Sequence, residues 1–417
     1  MNVEIINIGD ELLIGQVVNT NASWMAGQLN LSGFRVHQVS IVSDDREHIL
    51  EALALAEKRA QIVLISGGIG PTKDDITKHT LCEYFNTRLV LDEEAYRDVE
   101  QLFARRGYQV TELNRQQALL PESCISIPNH NGTARGMWFE KQTSSELPTI
   151  FVSMPGVPFE MKSMMTEEII PRLKRIFQTP AIIHRTILTQ GVGESFLAAR
   201  IEEWENNLPA HIKLAYLPQP GIVRLRLTGT GSHEKQLQSE IEHQVAALQQ
   251  LIPDYIFGYD NDTLEEIIGH QLKQKRATLA TAESCTGGYL AHLITTIPGS
   301  SAYFKGSVVC YANEIKEEIA GVTPETLTRY GAVSEQTVTE MAVGVQTRFK
   351  ADYVIATSGI AGPDGATSDK PLGTTWIAIA TPEKVYAQKH LFGDSRDRNI
   401  RRTALQALNM LRKKLLV

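Results

Sequence analysis

Two potential nucleophiles, Ser284 and Cys285, stand together in TAESCTGG, residues 281–288, between an apolar run and a glycine pair. Either could open an acyl bond if a neighbouring group took its proton. Histidine is the usual base. The nearest, His292, falls on the helix expected after the glycines, facing outward, and no Asp or Glu is spaced to orient it as in a triad. Lys316 in GSVVCYANEIK is the alternative. A free lysine has a pKa of about 10.4, so service near neutrality asks for a drop of about 3 units, roughly 4 kcal/mol against the charged form. Burial beside apolar groups or other cations can supply that. Glu314, Glu317 and Glu318 would oppose it if they faced the site, and on spacing alone Lys316 reads as a surface lysine rather than a base.

The glycines after Thr286 raise a second possibility. Gly287 and Gly288 start a helix just past a strand, and the free N–H groups and positive dipole end of such a start suit an anion, above all phosphate. An ordinary glycine-rich turn would look the same. GSVVCYANEIK also sets Tyr311 in the loop after a strand, and ATSGIAGPDG sets Ser358 and Gly359 at another glycine-rich bend. Parallel α/β sheets collect ligands at the carboxyl ends of their strands, so three polar strand ends are expected to share one pocket.

A separate set of motifs, GDELLIG, NTNASW, SGGIGPTKDDIT and SMPGVPFEM, runs in order within residues 9–161. SGGIGPT after a buried strand makes a backbone nest for phosphate. Asp74 and Asp75 behind it would hold a divalent cation bridging such phosphates, and Asp10 and Glu11, ending the first strand, could join them. Capping and turn chemistry accounts equally well for any one of these motifs alone.

The elements that must position these residues can be read in outline. At 417 residues the chain exceeds one core, and two to four domains are expected. Residues 1–170 alternate short β-type runs with amphipathic helices, implying a parallel sheet covered on both faces. Residues 171–253 read β-α-β-β-α, and the spacer PDYIFGYDND marks a boundary, with Asp262 and Glu265 as a capping-box-like start to the next helix. Residues 254–417 form a second α/β sandwich ending in an antiparallel hairpin and a long, locally basic helix, read as a solvated face around an apolar stripe. The fold class is therefore α/β, two three-layer sandwiches joined by a small α+β domain.

Composition narrows the function classes. A net charge of −7 argues against broad nucleic-acid binding, which rests on Lys and Arg neutralising phosphates. The four scattered cysteines offer neither a disulfide framework nor a zinc site, fitting a reducing cytoplasm. No start resembling a signal peptide and no apolar run of the ~18–20 residues needed to span a bilayer is present, so no membrane role is expected.

The order TAESCTGG, GSVVCYANEIK, GAVSE and SGIAGPDG…KPLGTTW closely resembles the nicotinamide mononucleotide deamidase domain of the CinA family, across essentially all of 254–417. The resemblance implies hydrolysis of the carboxamide of nicotinamide mononucleotide to nicotinic acid mononucleotide and ammonia, with no metal. It places the nucleophile on Ser284 and its partners on Lys316 and Tyr311. Substrate contacts would fall on Thr286, Gly287, Gly288, Ser358 and Gly359. Relatives commonly carry an arginine directly after GD near the last helix; here the run is FGDSRDRNIRR, so the assignment moves to Arg396, with Arg398, Arg401 and Arg402 as competitors.

Residues 1–170 resemble the molybdopterin-binding (MoaB/MogA-like) fold as CinA proteins use it. That implies a pyrophosphatase splitting ADP-ribose into AMP and ribose 5-phosphate, dependent on Mg, Mn or Co held by Asp74 and Asp75. Its substrate would meet Asp10, Glu11, Asn21, Ser66, Gly67, Gly68, Gly70, Thr72, Pro155 and Gly156. The middle unit resembles the family's KH-type module, but its GVGE turn carries an acid where a nucleic-acid clamp wants cations, so it is expected to be a spacer or dimer element. The implied whole is a homodimeric, bifunctional pyridine-nucleotide recycling enzyme. The rival is a non-catalytic nucleotide- or pterin-binding scaffold in competence or DNA-damage responses.

Overall fold

The computed structural model describes residues 1–72, 74–105, 107–142 and 147–416 and divides into two compact units. The first comprises Met1–Ile183 with Thr230–Leu237, the second His184–Gly229 with Gln238–Val417. The architecture is the mixed α/β one expected.

In the first unit the strands run in the order Arg35–Val42, Asn2–Ile8, Ile62–Ser66, Thr149–Met154, Gly136–Lys141, Ile125–Ile127. The first four are parallel and the last two antiparallel. Side chains alternate along a strand, and here both faces are apolar. Val3, Ile5, Ile62, Leu64, Ile150 and Val152 pack with Met25, Leu29 and Met161 on one side. Ile6, Ile8, Val63, Ile65 and Phe151 pack with Ile49, Leu53 and Leu81 on the other. IVLIS at 62–66 is buried at every position, as a central parallel strand requires. Glu4 is fully buried on such a strand and is tolerated because Arg59 of helix Arg46–Arg59 grips it through both oxygens, at 2.7 and 3.1 Å.

The second unit holds two sheets. The smaller has the order Ile212–Gln219, Ile222–Gly231, Ala181–Gln190, Ile256–Tyr259, with helices Glu194–Asn206 and Glu234–Leu251. The larger runs Phe304–Val309, Leu279–Glu283, Tyr353–Gly359, Thr374–Ala380, Val385–Leu391; its first three strands are parallel and the final hairpin is antiparallel. Small residues on one face (Ala280, Ala282, Ala356, Ala378, Ala380) let helix Glu335–Phe349 approach closely through Val338, Met341, Ala342 and Val345. Leu279, Ile355, Ile377 and Ile379 on the other face meet helices Leu264–Lys275, Tyr289–Thr295 and Arg396–Leu415. The last helix is thus half core, not a free basic face: Ala404, Ala407, Leu408 and Leu411 are fully buried.

Three sequence expectations shift. The boundary at residue 170 falls inside a continuous helical run, Pro158–Ile176, and Leu173 and Phe177 belong to the first core because their apolar spacing continues past it. The spacer at 253–262 contains a strand, Ile256–Tyr259, that pairs antiparallel with Ala181–Gln190 and completes the small sheet. The cap of the following helix is Thr263, whose side chain accepts from Glu266 N–H, while Asp262 accepts from Tyr259 N–H instead.

Gly344 lies where helix Glu335–Phe349 crosses the loop at Ala320: a Cβ there would overlap the Ala320 carbonyl and stand 3.3 Å from Gly321 Cα. Backbone cannot swing aside as a side-chain end can. Gly344→Ala is expected to lower stability by about 2 kcal/mol, read as a reduced urea midpoint. An unchanged midpoint would mean that helix and loop can part without penalty.

Candidate functional site

At the end of strand Leu279–Glu283 the chain turns sharply into helix Tyr289–Thr295, through Gly287 at φ +58° and Gly288 at φ +95°. Those left-handed positions favour glycine. What holds the turn is Glu283, which sequence reasoning passed over. Its carboxylate is fully buried and accepts from the N–H groups of Gly288 (3.0 Å), Leu290 (3.0 Å) and Ala291 (2.8 Å). Thr281 and Ser307 hydroxyls donate to it at 3.3 Å. The helix start is therefore satisfied by an internal anion. The expected phosphate site at Gly287–Gly288 is corrected: a protein carboxylate takes the N–H groups a phosphate would need. The signal was the acid five residues before the helix N-cap.

Glu283 thereby fixes the turn between strand and helix, in which Ser284, Cys285 and Thr286 are all buried. Ser284 N–H donates to Thr357 O at 3.0 Å, and Gly287 N–H returns to Ser284 O at 3.1 Å. Ser284 Oγ has no hydrogen-bond partner among the described residues, and the N–H groups of Cys285 and Thr286 meet no acceptor there. Cys285 is as buried as Ser284, but its sulfur packs against Gly359, and burial pushes its thiol up to about 12. Such a thiol is almost never a thiolate, and the thiolate is the nucleophile.

Lys316 is only 1 % exposed, not the surface lysine that its acidic neighbours suggested. It sits in helix Asn313–Glu318, and its Nζ donates to Cys310 O (2.8 Å) and Tyr311 O (3.0 Å). No carboxylate pairs with it among the described residues. Burial drives its pKa down, weakly opposed by Cys310, Cys285 and Glu314. A neutral amine has two N–H donors and one lone pair; both donors are accounted for by the two carbonyls. His292 is exposed and stacks on Tyr289, away from this role.

Arg396 and Tyr311 come together although 85 residues separate them in sequence. Arg396 opens the last helix, donates to Gly362 O at 2.7 Å and to Tyr311 Oη at 3.1 Å, and both side chains are exposed. Among the competing arginines, Arg402 donates instead to Phe392 O at 2.6 Å. Three expected contacts turn out to be scaffolding. Ser358 is 1 % exposed and donates its hydroxyl to Ala332 O at 2.7 Å. Gly359 has no room for a Cβ, which would stand 2.6 Å from Thr375 Oγ1 and 3.1 Å from Cys285 Sγ. Thr286 is likewise buried, its hydroxyl shared with Thr357 at 2.8 Å. The GAVSE motif is a helix start, with Ser334 accepting from Thr337 N–H.

In the first unit, Gly67–Pro71, Asp74 and Asp75 line a cavity of about 370 Å³ with Glu11, Asp44 and Gly156. Gly67 (φ +113°) and Gly68 (φ +66°) take backbone that side chains rarely adopt, and a Cβ on either would strike Ile8 O or Thr77 Oγ1. The N–H groups of Gly68, Ile69 and Gly70 meet no acceptor among the described residues, the arrangement of an anion nest. Lys73 of this motif lies outside the described residues.

Asp75, expected beside Asp74 on a cation, instead closes the loop, accepting from Thr72 N–H (2.9 Å) and Thr72 Oγ1 (2.5 Å). Asp44, which was not singled out, joins the cavity. Burial raises its carboxyl, the N–H of Asp10 opposes that, and Asp10, Glu11 and Asp74 raise it further by repulsion. Asn21, Ser66, Pro155 and Gly156 form a latch behind the cavity: Asn21 Nδ2 donates to Gly156 O (2.7 Å) and Ser66 Oγ to Pro155 O (3.2 Å). Lys78, buried behind the loop, is pushed down to about 8 by desolvation.

Among the described residues no three His, Cys, Asp or Glu side chains gather as a metal site. A magnesium-type ion on a phosphate ligand needs only one or two carboxylates. The all-oxygen set of Asp44 and Asp74, crowded enough for mutual repulsion, fits such an ion.

The turn at 283–288 makes a definite prediction. Glu283→Gln puts an N–H donor among three N–H groups, so stability is expected to fall by about 2 kcal/mol, seen as a lower midpoint in urea. A variant as stable as the parent would show that water or another acceptor can replace the carboxylate.

Comparison with known proteins completes this picture. Residues 4–175 match the family described as "Probable molybdopterin binding domain", residues 184–258 the damage-inducible protein CinA KH domain, and residues 261–415 the CinA C-terminal domain. A CinA-like protein of Cytophaga hutchinsonii is 49% identical over 99% of this chain and 97% of its own. One of Flavobacterium psychrophilum is 48% identical over 100% and 99%. Among solved structures, a competence/damage inducible protein from Agrobacterium tumefaciens is 37% identical, covering 37% of this chain and 96% of its own at a TM-score of 0.36. With three domain matches in order and such identity along its whole length, the chain belongs to the CinA family.

Proposed function

We propose that the chain is a bifunctional nucleotide hydrolase. Its C-terminal domain would release ammonia from the carboxamide of nicotinamide mononucleotide, and its N-terminal domain would cleave the pyrophosphate of ADP-ribose. The observation that carries the first activity is the Lys316 amine: buried, lowered in pKa and, among the described residues, bonded to two carbonyls with no carboxylate partner. Burying a lysine this way is costly for the ammonium and mild for the amine. The lone pair left over is the base that a serine needs.

In this reading Ser284 Oγ attacks the carboxamide carbon as Lys316 takes the hydroxyl proton. Collapse of the tetrahedral intermediate breaks the C–N bond, the proton passes to the nitrogen, and ammonia leaves an ester on Ser284. Water, deprotonated by the same amine, then hydrolyses the ester to the carboxylic acid. The N–H groups of Cys285 and Thr286 are free to stabilise the oxyanion, as donors fixed before the reaction do most effectively. Ser284 Oγ and Lys316 Nζ are not hydrogen-bonded to each other; such contacts commonly tighten only around substrate. Arg396, held by Tyr311 and Gly362, is the exposed cation best placed to receive the substrate phosphate, since Glu283 occupies the helix start.

For the first unit, the Gly68–Gly70 nest supports binding of a pyrophosphate group. A divalent cation on Asp44 and Asp74 would neutralise developing charge there. The chain itself supplies the nest and the Asp75–Thr72 brace that fixes it.

Ser284→Ala and Lys316→Met are each expected to reduce ammonia release by about 10³-fold or more, with AMP release from ADP-ribose unchanged and Cys285→Ala nearly as active as the parent. Loss of both activities in Ser284→Ala would end the division of labour. Because burial lowers the pKa of Lys316, its reactive neutral form is lost as pH falls through that lowered value. The kcat/KM for ammonia release should therefore rise with pH along a limb lying below the ordinary lysine range, and a flat profile would remove Lys316 as the base.

A further inference from the structure

The start of the last helix, Arg396–Leu415, holds two loops at once. Arg396, Asn399 and Arg402 stand three residues apart, so each lies beside the next on the helix surface. Arg396 Nη1 donates to Gly362 O at 2.7 Å, and Asn399 Nδ2 donates to the carbonyl just before it, Ala361 O, at 3.0 Å. The same Nδ2 also donates to Gly393 O at 2.9 Å, and Arg402 Nη1 donates to the carbonyl before that one, Phe392 O, at 2.6 Å. The loops approach each other as well: a Cβ on Gly362, where φ is +99°, would stand 3.3 Å from Asp394 O. Of the three side chains, Asn399 serves both loops. It is fully enclosed, and asparagine is a poor helix former. Its place in the helix is explained by the two carbonyls, since an apolar residue there would leave both without these donors.

We propose that Asn399 is a positioning residue for phosphate recognition, immobilising Arg396 through the loop that both of them hold. This rests on the reading of Arg396 as the cation that meets the substrate phosphate. Gly362 O and Tyr311 Oη each take one N–H of that guanidinium, which leaves further donors for an anion. A long side chain ordered only when the ligand arrives weakens binding, and one ordered beforehand does not. Gly362 O can fix Arg396 only if its own loop is fixed. Asn399 supplies that, tying Ala361 to Gly393, whose neighbour Phe392 is tied by Arg402. Without it the guanidinium would be anchored by Tyr311 and a loose loop. Asn399 is itself buried, so its effect on substrate passes through Arg396.

Asn399→Leu keeps the side chain near its size and removes both donors. On the full chain, KM for nicotinamide mononucleotide should rise by roughly five- to tenfold, the step expected when one long side chain must be ordered on binding. The kcat should stay within about twofold, as when an interaction common to ground and transition state is lost. The same nucleoside without its phosphate should be hydrolysed with unchanged kcat/KM. Added to Arg396→Met, the substitution should cause no further loss, because both act on one contact. Equal losses on the mononucleotide and the nucleoside, or additive losses in the double variant, overturn the inference by showing a general structural role. Asn399→Ser, smaller and without the amide, carries the same comparison if the leucine variant does not fold. A parent protein that uses mononucleotide and nucleoside alike overturns the inference and leaves the amidase reading standing. Absence of ammonia release, with calorimetric affinity for the mononucleotide lowered by Asn399→Leu and that for the nucleoside unchanged, supports the inference and refutes the amidase reading.

Discussion

The C-terminal domain is organised around one buried carboxylate. Glu283 ends a strand, turns back on the chain and gathers the N–H groups of Gly288, Leu290 and Ala291. A helix start carries partial positive charge and unsatisfied donors, and in many α/β proteins that charge is offered to a ligand. Here the chain uses it on itself. The carboxylate thereby converts five residues of loop into a rigid bracket, and the strand-to-helix turn presents Ser284 with little freedom to move. On the proposed reading the substrate's own anion must then be met by a side chain, and Arg396, which donates to Tyr311 Oη and Gly362 O, is the candidate.

The two neighbours in the turn illustrate how environment, more than residue type, sets reactivity. Cys285 is intrinsically the better nucleophile, but its sulfur is packed under Gly359 and its proton is held by burial. Ser284, a weak nucleophile alone, keeps a hydroxyl with no partner among the described residues. The same desolvation that disables the thiol prepares Lys316, because burial disfavours whichever form is charged: thiolate in one case, ammonium in the other. One physical cause thus supports opposite outcomes in two side chains.

Much of this was legible in the sequence. Alternating apolar runs gave the sheets, TAESCTGG gave the turn, and the glycines of SGGIGPT gave the nest, because each depends on local backbone geometry. What was not legible depends on long-range approach. Lys316 looks exposed among Glu314, Glu317 and Glu318; only the packing of its short helix shows that its side chain turns inward alone. Ser358 and Gly359 looked like ligand contacts, yet the antiparallel strand Thr374–Ala380 and the loop at Ala332 claim them. Asp44 is separated from Asp10 and Asp74 by a strand and a helix, and no spacing rule links them. The choice of Arg396 over its neighbours required knowing which of them reaches Tyr311.

Packing the thiol at 285 away also bears on chemistry unrelated to hydrolysis. Peroxide attacks thiolates, and a cysteine kept protonated and covered is a poor target for conversion to sulfenic acid. A hydrolase that placed its reactivity on that sulfur would be silenced whenever the cell's redox balance slipped. On the proposed reading, in which the adjacent oxygen reacts, the turn at 283–288 keeps its reactive atom off the oxidation ladder altogether.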